Sequence, residues 1–140
     1  MKRISFLAAL ILLSVGSVKA NDSVMVAHWP MNEGAGTTAA DATGNGHDGT
    51  LAGPAWIDNG TGGSALAFDG TDDYVTFGSP PELGVTTFTA EAWILRDGTG
   101  VPTTTGSGGT TAIPLFTKGR GEQDGNERDL NYFVGIRNSD

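Results

Sequence analysis

The stretch ALAFDGTDDYVTF, residues 65–77, decides the fold class. Leu66 and Phe68 alternate with Ala65 and Ala67, and Val75 and Phe77 alternate with Tyr74 and Thr76. That period of two places one side of each segment against a core and the other away from it, as in a β-strand. Between them, Asp69-Gly70-Thr71-Asp72-Asp73 is turn chemistry. Asp and Gly tolerate positive φ, and an aspartate side chain can bond the backbone two residues on. The stretch therefore predicts two short strands joined as a hairpin.

The same pattern extends in both directions. Over residues 87–95, Phe88, Ala90, Ala92 and Ile94 form a core face and Thr89, Glu91, Trp93 and Leu95 a mixed one, as in a sandwich strand with one side partly covered. Over residues 24–31, Val24, Val26 and His28 lie on one face and Met25, Ala27 and Trp29 on the other. Pro30 lacks an N–H for a ladder, so this strand lies at an edge or ends there. Thr50-Leu51 and Ala55-Trp56-Ile57 are strand fragments around Gly53-Pro54, and residues 113–117 and 130–137 read as two more strands. No segment after residue 20 keeps a helical period, and 21 of the 22 glycines lie there, between the β-branched and aromatic runs. The chain is all-β on this reading. Residues 97–111, DGTGVPTTTGSGGTT, hold too few apolar side chains to bury and read as a flexible insertion.

The amino terminus differs in kind. Met1-Lys2-Arg3 is followed by an apolar run over residues 4–15, broken only by Ser5 and Ser14, and then by Gly16-Ser17-Val18-Lys19-Ala20. A basic start, a short apolar run and small residues three places and one place before a cut are the order of a secretory signal peptide. A membrane-spanning helix needs about 20 apolar residues, more than this run offers. The expectation is cleavage after Ala20, with residues 1–20 a leader, residues 21–140 the domain, and a secreted, extracellular location with no membrane insertion of the mature chain.

Cleavage sharpens the charge. The whole chain carries 8 basic and 16 acidic residues, a net of −8; the leader holds three of the basic ones and no acid, which leaves 5 against 16, a net of −11. Such a surface repels nucleic acid and anionic membranes and suits divalent cations or neutral ligands; solubility alone accounts for it equally well. The absence of cysteine excludes thiol catalysis and cysteine zinc sites, and His28 and His47 are the only imidazoles.

Four stretches in order resemble a known family: VAHWPMNEGAGTTAADATGNGHDGTL (residues 26–51), ALAFDGTDDYVTF (65–77), TTFTAEAWI (86–94) and LNYFVGI (130–136). Together they look like the opening of a laminin-G-like, concanavalin-A-like jelly-roll domain. The resemblance implies an antiparallel two-sheet jelly-roll sandwich and a non-catalytic module that binds a carbohydrate or an extracellular protein. It also implies that the chain stops where later strands of the family would begin, so the domain is expected to be incomplete. An accessory domain of a larger secreted hydrolase and a structural adhesion module are the alternatives.

Candidate site residues follow from both readings. Calcium takes six to eight oxygens from carboxylates, amides and carbonyls. The Gly-rich loop over residues 41–48 supplies Asp41 and Asn45, Glu33 lies at the end of the first strand, and Asp69 sits in the Asp-Gly turn. Related domains hold a structural calcium near such loops, so these four are the candidate metal ligands; side-chain turns to the local backbone are the competing account. Trp93, on one face with Glu91, is the candidate ligand platform, whereas Trp29 and Trp56 are expected in the core. Glu122, Asp124 and Glu127 have the E-x-D-x-x-E spacing of β-glucanases that share the sandwich fold, but the surrounding Gly119, Gly121, Gly125 and Asn126 make a loop rather than the strand such carboxylates need. No catalytic residue is assigned. Asp124, Asn126 and Asp129 form a lesser calcium candidate, and Asn59-Gly60-Thr61 is a glycosylation sequon.

Overall fold

A computed structural model of the protein describes residues 4–10, 24–106, 109–119 and 131–137. The chain divides into two compact units, residues 1–99 and 100–140. Both are built from antiparallel strands, and the one helical turn among the described residues is Pro81–Leu83. No described helix is long and apolar enough to cross a membrane.

The first unit holds two sheets. One consists of β2 (Thr38–Ala39), β3 (Gly49–Ala52) and β6 (Tyr74–Thr76), in the order β2-β3-β6. Its register explains its two faces. Thr38 pairs with Thr50 and Thr50 with Thr76, a row of exposed threonines, while Ala39 pairs with Gly49 and Leu51 with Val75 on the other side. Threonines suit a solvated strand face and alternate with the residues that turn inward. The second sheet runs β4-β5-β1-β7, from β1 (Ile4–Leu10), β4 (Ala55–Asp58), β5 (Ser64–Phe68) and β7 (Glu91–Arg96). Trp56 pairs with Leu66 across β4 and β5, and both side chains belong to the core.

That core is one apolar cluster fed by both sheets. Ala27, Trp29, Met31, Ala39, Leu66 and Leu83 are its buried members, with Leu51, Trp56, Phe68, Val75, Phe77 and Phe88 packed against it. Trp29 is 1 % exposed and its ring lies 3.8 Å, centroid to centroid, from that of Phe77 at 32°. The expected core positions of Trp29 and Trp56 are observed: Trp56 is half-buried against the cluster and donates its Nε1–H to the Gly36 carbonyl at 2.9 Å.

Three local expectations are corrected. Residues 65–77 do not form a hairpin, because β5 pairs with β4 and β1 whereas β6 pairs with β3. The Asp69–Asp73 turn carries the chain from one sheet to the other. Gly53-Pro54 does the same between β3 and β4, and the hairpin of this region is β4–β5, closed by residues 59–63. Residues 24–31 form no regular strand, only an isolated bridge at Trp29, although Ala27, Trp29 and Met31 are buried in the expected alternation. Their backbone is met by a loop instead: Ala42 N–H donates to the His28 carbonyl at 2.8 Å and the His28 N–H to Asp41 Oδ1 at 3.0 Å. Finally, β7 begins at Glu91 rather than Thr87; Phe88 and Ala90 pack on the core but Ala92 and Ile94 are exposed.

Strand β1 lies within the segment read as a leader. It runs between β5 and β7, with Phe6 in register with Leu66 on one side and Ile94 on the other.

The second unit is the sheet β10-β9-β8, from β8 (Thr103–Thr104), β9 (Thr111–Lys118) and β10 (Tyr132–Ile136). Part of the Thr/Gly-rich stretch is thus a short hairpin, in which Thr103 pairs with Ala112 and Thr104 with Thr111. Hydroxyls tighten it: Thr110 N–H donates to Thr105 Oγ1 at 2.9 Å. Pro114 is accommodated in β9 because the register slips between Val134 and Gly135 beside it, the irregularity at which a strand proline is tolerated. Phe116 and Tyr132 meet edge to face at 6.3 Å, and burial raises the pKa of Tyr132.

Candidate functional site

The loop over residues 32–48 is organised by the side chains singled out for calcium. Asp41, 8 % exposed, is its hub. Its Oδ1 accepts from the His28 N–H at 3.0 Å, the Thr43 N–H at 3.0 Å and the Thr43 hydroxyl at 2.7 Å, and its Oδ2 accepts from the His47 N–H at 3.2 Å. Burial pushes the pKa of Asp41 up, but the bonds from the Thr43 hydroxyl and from the His28, Thr43 and His47 amides together outweigh it, so the net displacement is downward. Glu33 Oε1 accepts from the Ala40 N–H at 2.8 Å, and Asp48 Oδ1 from the Asp41 N–H at 2.8 Å. Asn45 spends its amide nitrogen on the Val26 carbonyl at 2.9 Å. These contacts are the side-chain turn chemistry that Asp and Asn perform in glycine-rich loops. They bring the His47 carbonyl to 2.6 Å from Trp29 Nε1 and so join the loop to the core.

Asp69 stands apart from that loop, in the turn between the sheets, and has acidic neighbours. Asp69, Asp72 and Asp73 each offer a carboxylate oxygen, all within 4.8 Å of one another; Asp69 and Asp72 are exposed and Asp73 partly so. Part of this density shapes the turn: Asp73 Oδ2 accepts from the Asp69 N–H and Asp69 Oδ1 from the Thr71 N–H, both at 2.8 Å. Asp73 also lies over Gly53, where a side chain would overlap its carboxylate. The grouping of Asp72 and Asp73 with Asp69 was not singled out in the sequence, although the run D-G-T-D-D is its signal: a five-residue turn folds its acidic ends together.

Trp93 and Glu91 lie on one face of β7, and both are exposed, Trp93 to 73 %. Leu95, two residues on, is 63 % exposed on the same face. The strand positions these side chains because alternate residues stand on the same side of the pleat. Arg96, at the strand end, donates its Nε–H to the Gly98 carbonyl at 2.9 Å. Glu122, Asp124, Asn126, Glu127 and Asp129 lie outside the described residues.

The chain matches no protein-family profile, and neither the curated proteins nor the solved structures include one significantly similar to it.

Proposed function

We propose that the protein is a secreted, non-catalytic binding module of laminin-G-like, jelly-roll type that recognises a carbohydrate or an extracellular protein through the face of β7. The observation that carries this reading is Trp93: an indole 73 % exposed, beside exposed Glu91 and Leu95 on one strand face. A flat apolar ring stacks on the C–H face of a sugar or on an apolar side chain, and a neighbouring carboxylate accepts hydroxyl or amide hydrogens. Two antiparallel sheets feeding one core are the architecture a jelly-roll reading needs. Secretion rests on the leader pattern of residues 1–20.

A structural calcium forms part of the same proposal, at Asp69, where Asp72 and Asp73 supply further oxygens; Glu33, Asp41 and Asn45 already serve the loop backbone. Bound there, calcium would tie the turn that joins the two sheets. Adding calcium to the chelator-treated chain should raise its melting temperature, and Asp72→Asn should reduce that gain. No change with either treatment removes calcium from the proposal.

The binding reading is tested with the full chain on glycan and extracellular-protein arrays, alongside Trp93→Ala. A ligand bound by the parent and lost in the variant, at unchanged urea midpoint, supports it. Equal binding by both proteins, or none by the parent, refutes it.

A further inference from the structure

The chain contains two Asn-Gly pairs, Asn45-Gly46 and Asn59-Gly60, identical as dipeptides. In both, the glycine adopts positive φ, 81° at Gly46 and 78° at Gly60. In both it is exposed, and in neither does a Cβ shield the backbone nitrogen that follows the asparagine. Their hydrogen bonds are opposite. Asn59, at the tip of the β4–β5 hairpin, uses its carbonyl oxygen: Oδ1 accepts from the Thr61 N–H at 2.9 Å, the Thr61 hydroxyl at 2.8 Å and the Gly63 N–H at 3.0 Å. The Gly60 N–H donates to Asp58 Oδ1 at 2.7 Å. Asn45 uses its amide nitrogen instead: Nδ2 donates to the Val26 carbonyl at 2.9 Å and to the Met25 carbonyl at 3.4 Å.

The geometry points to Asn59 as a site of spontaneous intramolecular modification: cyclisation onto the Gly60 nitrogen, with loss of ammonia, followed by hydrolysis to aspartate or isoaspartate. In the first step the Gly60 nitrogen attacks Asn59 Cγ and its proton passes to the Asp58 carboxylate. The C–N bond forms and negative charge develops on Oδ1, where three donors already wait. Donors aimed at a developing oxyanion stabilise the tetrahedral intermediate, and a carboxylate on the attacking N–H acts as general base. The intermediate collapses by breaking the Cγ–Nδ2 bond; the leaving nitrogen takes a proton and departs as ammonia, leaving a five-membered succinimide. Water then opens the ring at either carbonyl. The balance is asparagine plus water to aspartate or isoaspartate plus ammonia, with no oxidant or further reactant.

Asn45 lacks this arrangement. Its leaving nitrogen is tied to two carbonyls, and rotation of the amide toward attack breaks those bonds. The product at residue 59 alters the hairpin tip. Aspartate adds a charge beside Asp58, and isoaspartate inserts a methylene into the backbone, which moves the acceptor away from Thr61 and Gly63.

The experiment incubates the full chain at neutral pH, folded and in urea, and follows both sites by peptide mapping with isoaspartate detection. Folded, Asn59 should convert faster than Asn45, on the order of tenfold, and in urea the two rates should converge. Asp58→Asn and Thr61→Val should each slow residue 59 in the folded chain and leave Asn45 unchanged. Equal rates at the two sites in the folded chain overturn the proposal. A ratio that persists in urea overturns it too, since it would then belong to the sequence. Variants that convert residue 59 at the parent rate remove the roles given to Asp58 and Thr61.

Discussion

Replacing Asp41 by alanine is the sharpest test of how the loop over residues 32–48 is held. The carboxylate accepts four hydrogen bonds and is 8 % exposed. Alanine strands the N–H groups of His28, Thr43 and His47, and an unsatisfied buried donor costs about 1–3 kcal/mol. The Thr43 hydroxyl can turn to water, and His28 and Thr43 are only half-buried, so the amide of buried His47 costs the most and those of His28 and Thr43 less. A loss of about 3–5 kcal/mol follows, large for one surface-loop substitution. Asparagine keeps an oxygen for His28 and Thr43 but turns a donor toward the His47 N–H, and should lose about 1–3 kcal/mol. The pH dependence has a definite sign. The pKa of Asp41 is lowered in the fold, so its contribution is fully present above the pKa of the unfolded chain. It is lost as pH falls through the folded value. The gap between parent and Asp41→Ala should therefore be widest at neutral pH and close in acid. Urea titrations followed by the fluorescence of buried Trp29, at neutral pH and at steps down into the carboxylate range, read both. A variant within 0.5 kcal/mol of the parent at neutral pH, or a gap that does not change with pH, refutes the hub.

Gly49→Ala tests the packing of the Thr-faced sheet: a Cβ there would lie 2.7 Å from Val75 Cγ1 and 2.9 Å from Phe77 Cδ1. Overpacking of that kind costs about 1–3 kcal/mol, and because Phe77 lies against Trp29 the near-ultraviolet circular dichroism should change with it. Trp29→Phe keeps a ring but leaves the His47 carbonyl without its donor at 2.6 Å; a loss of about 1–3 kcal/mol in urea midpoint titrations is expected. In the second unit, Gly135→Ala would bring a Cβ to 2.6 Å from the Ile113 carbonyl oxygen, so amide exchange in β9 and β10 should accelerate. Removing residues 1–20 should leave Trp29 fluorescence intact, since Ala27, Trp29, Met31, Ala39, Leu66 and Leu83 all lie after residue 20, whereas the far-ultraviolet strand signal should fall, because β7 loses its partner β1. A shortened chain that fails to fold would instead make β1 a permanent strand of its sheet.

The all-β class was legible in residues 65–77 because alternation is a local property: Leu66, Phe68, Val75 and Phe77 each meet the core, although Ala65 and Ala67 are buried too, so β5 does not keep the outward face the alternation predicts. The burial of Trp29 was legible for the same reason, as was the face shared by Glu91 and Trp93. Strand partners were not legible. An Asp-Gly turn is compatible with a hairpin and with a step between sheets, and the choice depends on which distant strand satisfies the backbone. Here β6 finds β3 and β5 finds β4 and β1. The candidate ligands show the same division. The loop motifs and the family resemblance singled out the oxygens of Glu33, Asp41, Asn45 and Asp69, but a carboxylate's role depends on which donors surround it. Only the folded backbone brings the His28 and His47 amides to Asp41. The two Asn-Gly pairs, alike as letters, differ because one asparagine meets donors and the other meets carbonyls. Periodicity is written along the chain; hydrogen-bond partners are assigned across it.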